Sequence, residues 1–499
     1  MIDVNFILYQ LLIKMFIKDV LLSVDSLDLK TVDSTVVSEK ITVHISGWIK
    51  TYRNQREISF MAINDGSSFK NIQVLFDTTN YFSYEDEVGV IKEKIDRLSV
   101  GASVELKGVL VKPPESSKEP IELHIIDILH MGVIEDRETY IIGKGRVKPE
   151  VMRKHQHLRC KTNYFSAIMK IRSCASYALH RFLHENMFHH LDPNVITTSD
   201  CEGAGEVFQI VSPDDVCNGG TEDFFRKKAY LTVSSQLQLE AICSGLGRCY
   251  TMNPSFRAEK SSTSRHLASF THVEYELSHC GLKGLMDISE EMVKYAIVQC
   301  LEKCPDEYAF LNSYFSKGIL ERLQKYGTCE YPRISYDEAL DVLINARRQR
   351  KLKLRDEDMP SWGDDLGSVC ERYLAERHYK SPLMIYNYPK DLKSFYMKED
   401  HANPKVVNCM DLIVPSIGEL IGSAVREDSY EKIVSNMDAK GIDKGPLEWY
   451  LDLRKNGTWR HAGAGMGFER LVGLLTMTAE NFNVRECVPF PVAYGECDY

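Results

Sequence analysis

Three short stretches hold residues whose types and spacing suit work on a phosphate-bearing substrate. The first, PSFRAEKSSTSRHLASFTHVEYE at 254–276, sets Arg257, Glu259, Arg265, His266, Phe270, Glu274 and Glu276 on two strand-like runs around a turn-rich loop. Taken alone it reads equally well as an exposed charged hairpin. The second, GAGMGFER at 463–470, is a glycine-rich turn that runs into the apolar helix LVGLL. Glycines such as Gly467 permit close backbone approach, and Arg470 enters the helix beside them. No Lys-Ser/Thr follows, so this is not a Walker loop. The third, MDLIVPSIGELIGSAVR at 410–426, brings Asp411, Glu419 and Arg426 onto apolar strands. Buried carboxylates need a positive partner. Mg²⁺ on a nucleotide would serve, and so would an internal ion pair with Arg426.

These stretches need a scaffold, and the pattern along the chain supplies two. Runs at 41–49, 58–64, 72–76, 103–111 and 121–129 alternate apolar and polar residues and are rich in β-branched types. Asp65-Gly66-Ser67 marks a hairpin turn between the second and third. Five such strands in one short region predict an OB-type barrel over residues 40–132. A linker follows at 133–162. From 163 the period turns helical, with Phe165, Ile168, Ile171, Ala175, Leu179 and Phe182 on one face. Strand-like runs at 231–237 and 409–414 then alternate with helical runs at 286–303 and 333–347. The mixture predicts an α+β domain over 163–499 on an antiparallel or mixed sheet, with a helical insertion at about 288–350.

Composition narrows the class. A chain of 499 residues with 44% hydrophobic and 26% charged residues is ordinary for a globular protein. A net charge of -10 argues against nonspecific coating of nucleic acid. Fourteen cysteines without a CxxC pair argue against a zinc site and for a reducing compartment, here the cytoplasm. Residues 1–39 form a lead-in segment. Its apolar stretch Phe6 to Leu22 is broken by Gln10, Lys14, Lys18 and Asp19, so it reads as an amphipathic lead-in or an extension upstream of Met15, not a membrane span. An organelle presequence is the weaker alternative, since the stretch has no Arg.

Together the three stretches resemble the motifs of the class II aminoacyl-tRNA synthetases. The run at 256–270 is similar to their second motif and 465–470 to their third, while the helix at 163–188 and a strand at 191–200 stand where the first belongs. The resemblance narrows to the aspartate, asparagine and lysine subgroup. DCEGAGEVF at 200–208, YNYPKDLKSFYM at 386–397 and RKNGTWRHAGAGMGFERL at 454–471 resemble its bacterial-type asparaginyl members. It implies an N-terminal OB anticodon-binding barrel followed by a catalytic domain on an antiparallel sheet flanked by helices. The implied partners are ATP, Mg²⁺, L-asparagine and tRNA(Asn), with a homodimer formed through 163–200. Asn194 stands where the family's first motif usually has Pro, and Ala424 where its pocket usually has Ser.

The resemblance also implies roles. Arg257 would hold the α-phosphate. Phe270 and Arg470 would sandwich the adenine, Glu259 would meet its amino group, and Arg265 and His266 would hold the distal phosphates. Asp411 and Glu419 would hold Mg²⁺, and Gly467 would line the ATP site. Glu202, Ser234 and Gln236 would bind the amino acid, with Glu274 and Arg426 reading the two ends of its amide. In the barrel, Phe60 would stack on an anticodon base and Gln73 would bond the central uridine. Without the resemblance, barrel filling for Phe60 and a solvated position for Gln73 are the plainer readings. Aspartyl members carry a Lys where this chain has Leu239, and a neutral amide needs no such cation. The rivals are an aspartyl or nondiscriminating synthetase, an ammonia-dependent asparagine synthetase, which lacks the barrel, and an inactive RNA-binding paralogue.

Overall fold

The computed structural model describes residues 16–23, 41–79, 85–114, 117, 119–145, 147–198, 206–212 and 224–499. It divides into two compact units, residues 1–163 and 164–499.

The first unit is built on β1 (Thr42–Asn54), β2 (Ile58–Asn64), β3 (Ile72–Asp77), β4 (Ser103–Val111) and β5 (Glu122–Gly132). They close into a barrel in the order β1-β2-β3-β5-β4, antiparallel except where β3 meets β5. Strict alternation places Ile72, Val74 and Phe76 inside, with Val43, Ile45, Met61, Ile63 and Leu106. Gly66, at φ 87°, makes the β2–β3 turn that an L-residue with a side chain would resist. The helix Glu85–Asp96 adds Ile91 and Ile95 to this core, and the helix Ile17–Ser23 adds Ile17 and Val20. The rest of the expected lead-in, 1–15 and 24–39, lies outside the described residues.

The second unit contains β6 (His189–His190), β7 (Ile196–Thr197), β8 (Gln209–Ile210), β9 (Ala229–Leu231), β10 (Arg248–Phe256), β11 (Ser269–Ser278), β12 (Arg333–Ser335), β13 (Leu383–Tyr386), β14 (Cys409–Val414), β15 (Gly418–Val425) and β16 (His461–Gly467). Its main sheet runs β12-β13-β14-β15-β16-β11-β10-β6. The pairs from β13 to β10 are antiparallel and the two edge pairs are parallel. The helix Asn163–Glu185 buries the face read from its sequence, Phe165 through Phe182. Leu282–Lys303 is a second long helix, burying Leu285, Met292, Val293 and Ile297.

One expected strand is corrected. The run 231–237 stops being a strand at Leu231, and a helix starts at Gln236. The Thr232 hydroxyl donates to the Ser234 carbonyl at 2.6 Å, and the Ser234 hydroxyl accepts the Gln236 N–H at 3.1 Å. Such local side-chain bonds compete with strand pairing and favour a helix start. Likewise the helical run at 333–347 begins as β12 and becomes helix only at Tyr336, after a capping box between Ser335 and Glu338.

Candidate active site

Strand register decides which residues meet. β11 lies beside β16 with His272 opposite Gly467, Glu274 opposite Gly465 and Glu276 opposite Gly463. β15 lies on the other side of β16, with Gly422 opposite Gly465. Because strand side chains alternate, one face of β16 is a row of glycines under charged neighbours. A Cβ at Gly463 would stand 1.8 Å from Glu276 Oε2, one at Gly465 2.6 Å from His272 Nε2, and one at Gly422 2.9 Å from Glu419 Oε1. The glycines therefore keep open a cavity of about 430 Å³ lined by Ser234, Gln236, Arg257, Glu274, Glu276, Asp411, Glu419 and Arg426.

A second cavity of about 160 Å³ shares Arg257, His272 and Glu419 with the first. Its walls are Glu259, Arg265, His266, Phe270, Gly467 and Arg470. The Arg257 guanidinium stands 5.6 Å from the Phe270 ring centre. Arg470 donates to the Glu419 carbonyl at 2.6 Å. His266 Nδ1 faces the hydroxyls of Ser261 at 2.9 Å and Thr263 at 2.6 Å. Burial pushes the Arg265 guanidinium below its ordinary pKa, and the neighbouring cations Arg372 and Arg470 add to the shift. Three cations crowded together are stabilised by a polyanion. Burial likewise holds the His272 ring below the usual imidazole range, so it stands neutral between the two cavities.

Asp411 and Glu419 flank the bare position at Gly422. Lys393 Nζ bonds Asp411 Oδ2 at 2.6 Å and stands 4.0 Å from the Tyr388 ring centre. Burial raises Asp411, and Lys393 pulls against it without cancelling it. Glu371 joins them electrostatically, pushed up to about 7 by burial and by the charges of Glu419 and Asp411. Among the described residues no group of three His, Cys, Asp or Glu side chains could hold a metal ion by itself.

At the far end of the larger cavity Arg426 is buried and grips Glu276 with two bonds, Nε to Oε1 at 3.1 Å and Nη2 to Oε2 at 3.0 Å. Leu239 closes the wall there, fully buried. Glu274 is held otherwise. It accepts the Ser234 hydroxyl on Oε1 and the Ser235 N–H on Oε2 at 2.9 Å.

Residues 148–493 match the family described as tRNA synthetases class II (D, K and N), and residues 43–129 match the OB-fold nucleic acid binding domain. This chain belongs to the class II tRNA synthetases. The synthetase is 42% identical over 458 residues to the asparagine–tRNA ligase of Desulfotalea psychrophila, across 92% of this chain and 96% of that one. It is 40% identical over 466 residues to the asparagine–tRNA ligase of Clostridium botulinum, across 92% and 96%. Its fold matches the asparaginyl-tRNA synthetase of Pyrococcus horikoshii complexed with asparaginyl-adenylate at a TM-score of 0.77 and 32% identity, covering 91% of this chain and 95% of that one.

Of the site residues read from the synthetase sequence, those in the catalytic unit line the two cavities, save Glu202, which lies outside the described residues. Sequence reading missed Lys393, Tyr396, Arg372 and Glu240, and it left Glu276 without a role. In the barrel unit, Phe60 and Gln73 sit on the outward positions of β2 and β3. Arg53 lies 5.2 Å from the Phe60 ring centre. The Gln73 amide donates to Glu122 Oε1 at 2.7 Å, so Gln73 is not simply solvated. No helix among the described residues is long and apolar enough to cross a membrane.

Proposed function

We propose that the chain activates L-asparagine with ATP and transfers it to tRNA(Asn). The observation that carries this reading is the buried Arg426–Glu276 pair in the wall of a cavity that Leu239 and Glu274 also line. An amide offers one acceptor and one donor group, and Arg426 and Glu274 supply the complementary donor and acceptor. Glu276, both of whose oxygens are held by Arg426, orients that guanidinium, while Ser234 and Gln236 stand around the substrate ammonium.

In the first step an asparagine carboxylate oxygen bonds to the α-phosphorus while the α–β bridging bond breaks and pyrophosphate leaves. In the second a terminal ribose hydroxyl of the tRNA attacks the acyl carbon, and AMP leaves. Neither step needs a protein nucleophile. Positioning and charge stabilisation carry both. Arg257, lining both cavities, is placed to stabilise charge developing at the α-phosphorus. Phe270 and Arg470 bracket the base, and Arg265, His266 and Arg372 meet the distal phosphates. Two carboxylates around an open position fit a cation that takes its other oxygens from phosphate and water. Mg²⁺ bound there would neutralise phosphate charge. Asp411 and Glu419 would hold it, and Lys393 keeps Asp411 oriented.

Three further assignments complete the reading. Phe60 and Gln73 recognise the anticodon by stacking and hydrogen bonding. Two copies associate through the 163–200 region, which sedimentation at micromolar concentration tests. The protein works in the cytoplasm, in keeping with free thiols at every cysteine among the described residues. The deciding experiment is ATP–pyrophosphate exchange with each of the twenty amino acids. Asparagine alone should support exchange, and equal exchange with aspartate overturns the reading.

A further inference from the structure

Glu240, on the helix Gln236–Leu246, has a fully enclosed side chain and no role in the steps above. Its two oxygens accept from Gln236 Nε2 at 3.1 Å, Tyr450 OH at 2.9 Å, Arg454 Nη2 at 2.7 Å and His461 Nε2 at 2.9 Å. Arg426 Nε stands 3.9 Å away. That set nearly saturates a carboxylate. His461 Nδ1 faces the Trp459 carbonyl at 2.7 Å. A carbonyl and a carboxylate can only accept, so both ring nitrogens carry hydrogen and His461 is an imidazolium.

The charged groups around the amide end are then Arg426, Arg454 and His461 against Glu240, Glu274 and Glu276, three of each sign. Glu276 is taken by Arg426. Glu240 accepts from both cations behind it, and Glu274 on the cavity wall brings the sum to zero. Aspartate differs from asparagine at this end by one negative charge. A buried charge is tolerated where an unanswered cation awaits it and rejected where none does.

We propose that Glu240 is a specificity-determining positioning residue, whose buried charge answers Arg454 and His461 so that the pocket accepts a neutral amide and rejects a carboxylate. The proposal rests on the asparagine reading and deepens it. Leu239 withholds a cation from the pocket wall, and its sequence neighbour Glu240 neutralises those that stand behind it.

The test compares pyrophosphate exchange with asparagine and aspartate in wild type, Glu240→Gln and Glu240→Asp, each checked for folding by thermal melting. Glu240→Gln keeps the shape and removes the charge. The ratio of kcat/KM for asparagine over aspartate should fall about tenfold or more, mainly through a lower KM for aspartate. Glu240→Asp keeps the charge and should hold the ratio within about threefold, even where both rates drop. A proportional loss with both substrates in Glu240→Gln marks a merely structural role and overturns the proposal. So does an unchanged ratio. Should Glu240→Gln not fold, His461→Gln decides. It removes a cation and keeps a donor toward Glu240, so the ratio should rise, and an unchanged or lower ratio overturns the proposal. The wild-type arm stands apart. Equal exchange with both amino acids there defeats the asparagine reading itself, whereas a discriminating wild type with a discriminating Glu240→Gln defeats only the role of Glu240.

Discussion

Arg172 donates to Glu469 Oε1 at 3.0 Å, joining the helix Asn163–Glu185 to the helix Phe468–Thr476. The other Glu469 oxygen accepts the Thr271 N–H at 3.0 Å, and Arg172 also reaches the Thr271 hydroxyl at 3.2 Å and the Cys487 carbonyl at 2.9 Å. Thr271 follows Phe270, and Glu469 precedes Arg470. One ion pair, buried on its Glu469 side, therefore braces Phe270 and Arg470, the residues proposed to bracket the nucleotide. Arg172→Ala leaves Glu469 buried without its cation, which typically costs about 3–5 kcal/mol. The expected outcome is a lower midpoint in urea denaturation together with a raised KM for ATP. A variant as stable as wild type would refute the arrangement.

Much of this site was legible because strands carry information locally. The five barrel strands announce themselves by alternation, and in the second unit His272, Glu274 and Glu276 of β11 and the glycines of β16 each recur at every second position. Register was not legible. Nothing in the sequence says that Glu276, and not Glu274, faces Arg426, because β11 and β15, whose end Arg426 follows, lie on either side of β16. Glu240 was invisible for a similar reason. Its partners Tyr450, Arg454 and His461 are about two hundred residues away in sequence, and residues 231–237 read as strand until Thr232 and Ser234 are seen starting a helix. Lys393 and Arg372 lie in segments without strong periodicity, where a lone cation reads as surface.

Gly463 tests the glycine floor. Its missing Cβ leaves room for Glu276 Oε2 and for Arg426 Nη2, which a methyl group would approach to 1.8 Å and 2.6 Å. Gly463→Ala must displace the Arg426–Glu276 pair, whose guanidinium is proposed to read the amide oxygen. Asparagine-dependent exchange should fall by about a hundredfold, comparable to removing one strong transition-state contact. ATP binding, measured by calorimetry without amino acid, should change little, because the nucleotide cavity lies toward Gly467. Equal loss of ATP binding would contradict the division of the site.

The His461–Glu240 pair predicts a pH dependence of stability. Burial lowers the His461 pKa, but Glu240, Glu276 and the Trp459 carbonyl outweigh it, so the ring titrates above its ordinary value. A raised folded pKa means that its stabilisation is fully present below the unfolded value of about 6.5 and is lost as pH rises through the folded one. Melting temperatures of wild type and His461→Gln should differ most in mild acid and converge as the pH is raised. A gap that widens with pH would show that His461 is neutral.

Arg257 and Gln73 separate the two units of the chain by function. Arg257 lines both cavities, where charge would develop at the α-phosphorus. Losing such a contact costs about 3–4 kcal/mol in the transition state. Arg257→Ala should slow adenylate formation by roughly a hundredfold to a thousandfold, with a smaller effect on asparagine affinity. Gln73 belongs to the barrel, where its amide nitrogen is held by Glu122, itself buried. That bond fixes the orientation of the amide and leaves its carbonyl oxygen as an oriented acceptor, which a base edge would use in the proposed reading. Gln73→Ala should leave tRNA-independent pyrophosphate exchange near wild type, because the exchange reaction uses only the catalytic unit. Aminoacylation should weaken instead, chiefly as a higher KM for tRNA(Asn), since a hydrogen bond to a base is lost. Each variant is assayed in both reactions. If Gln73→Ala lowers exchange as much as aminoacylation, the barrel is not a separate reading unit and its outward face has a different task.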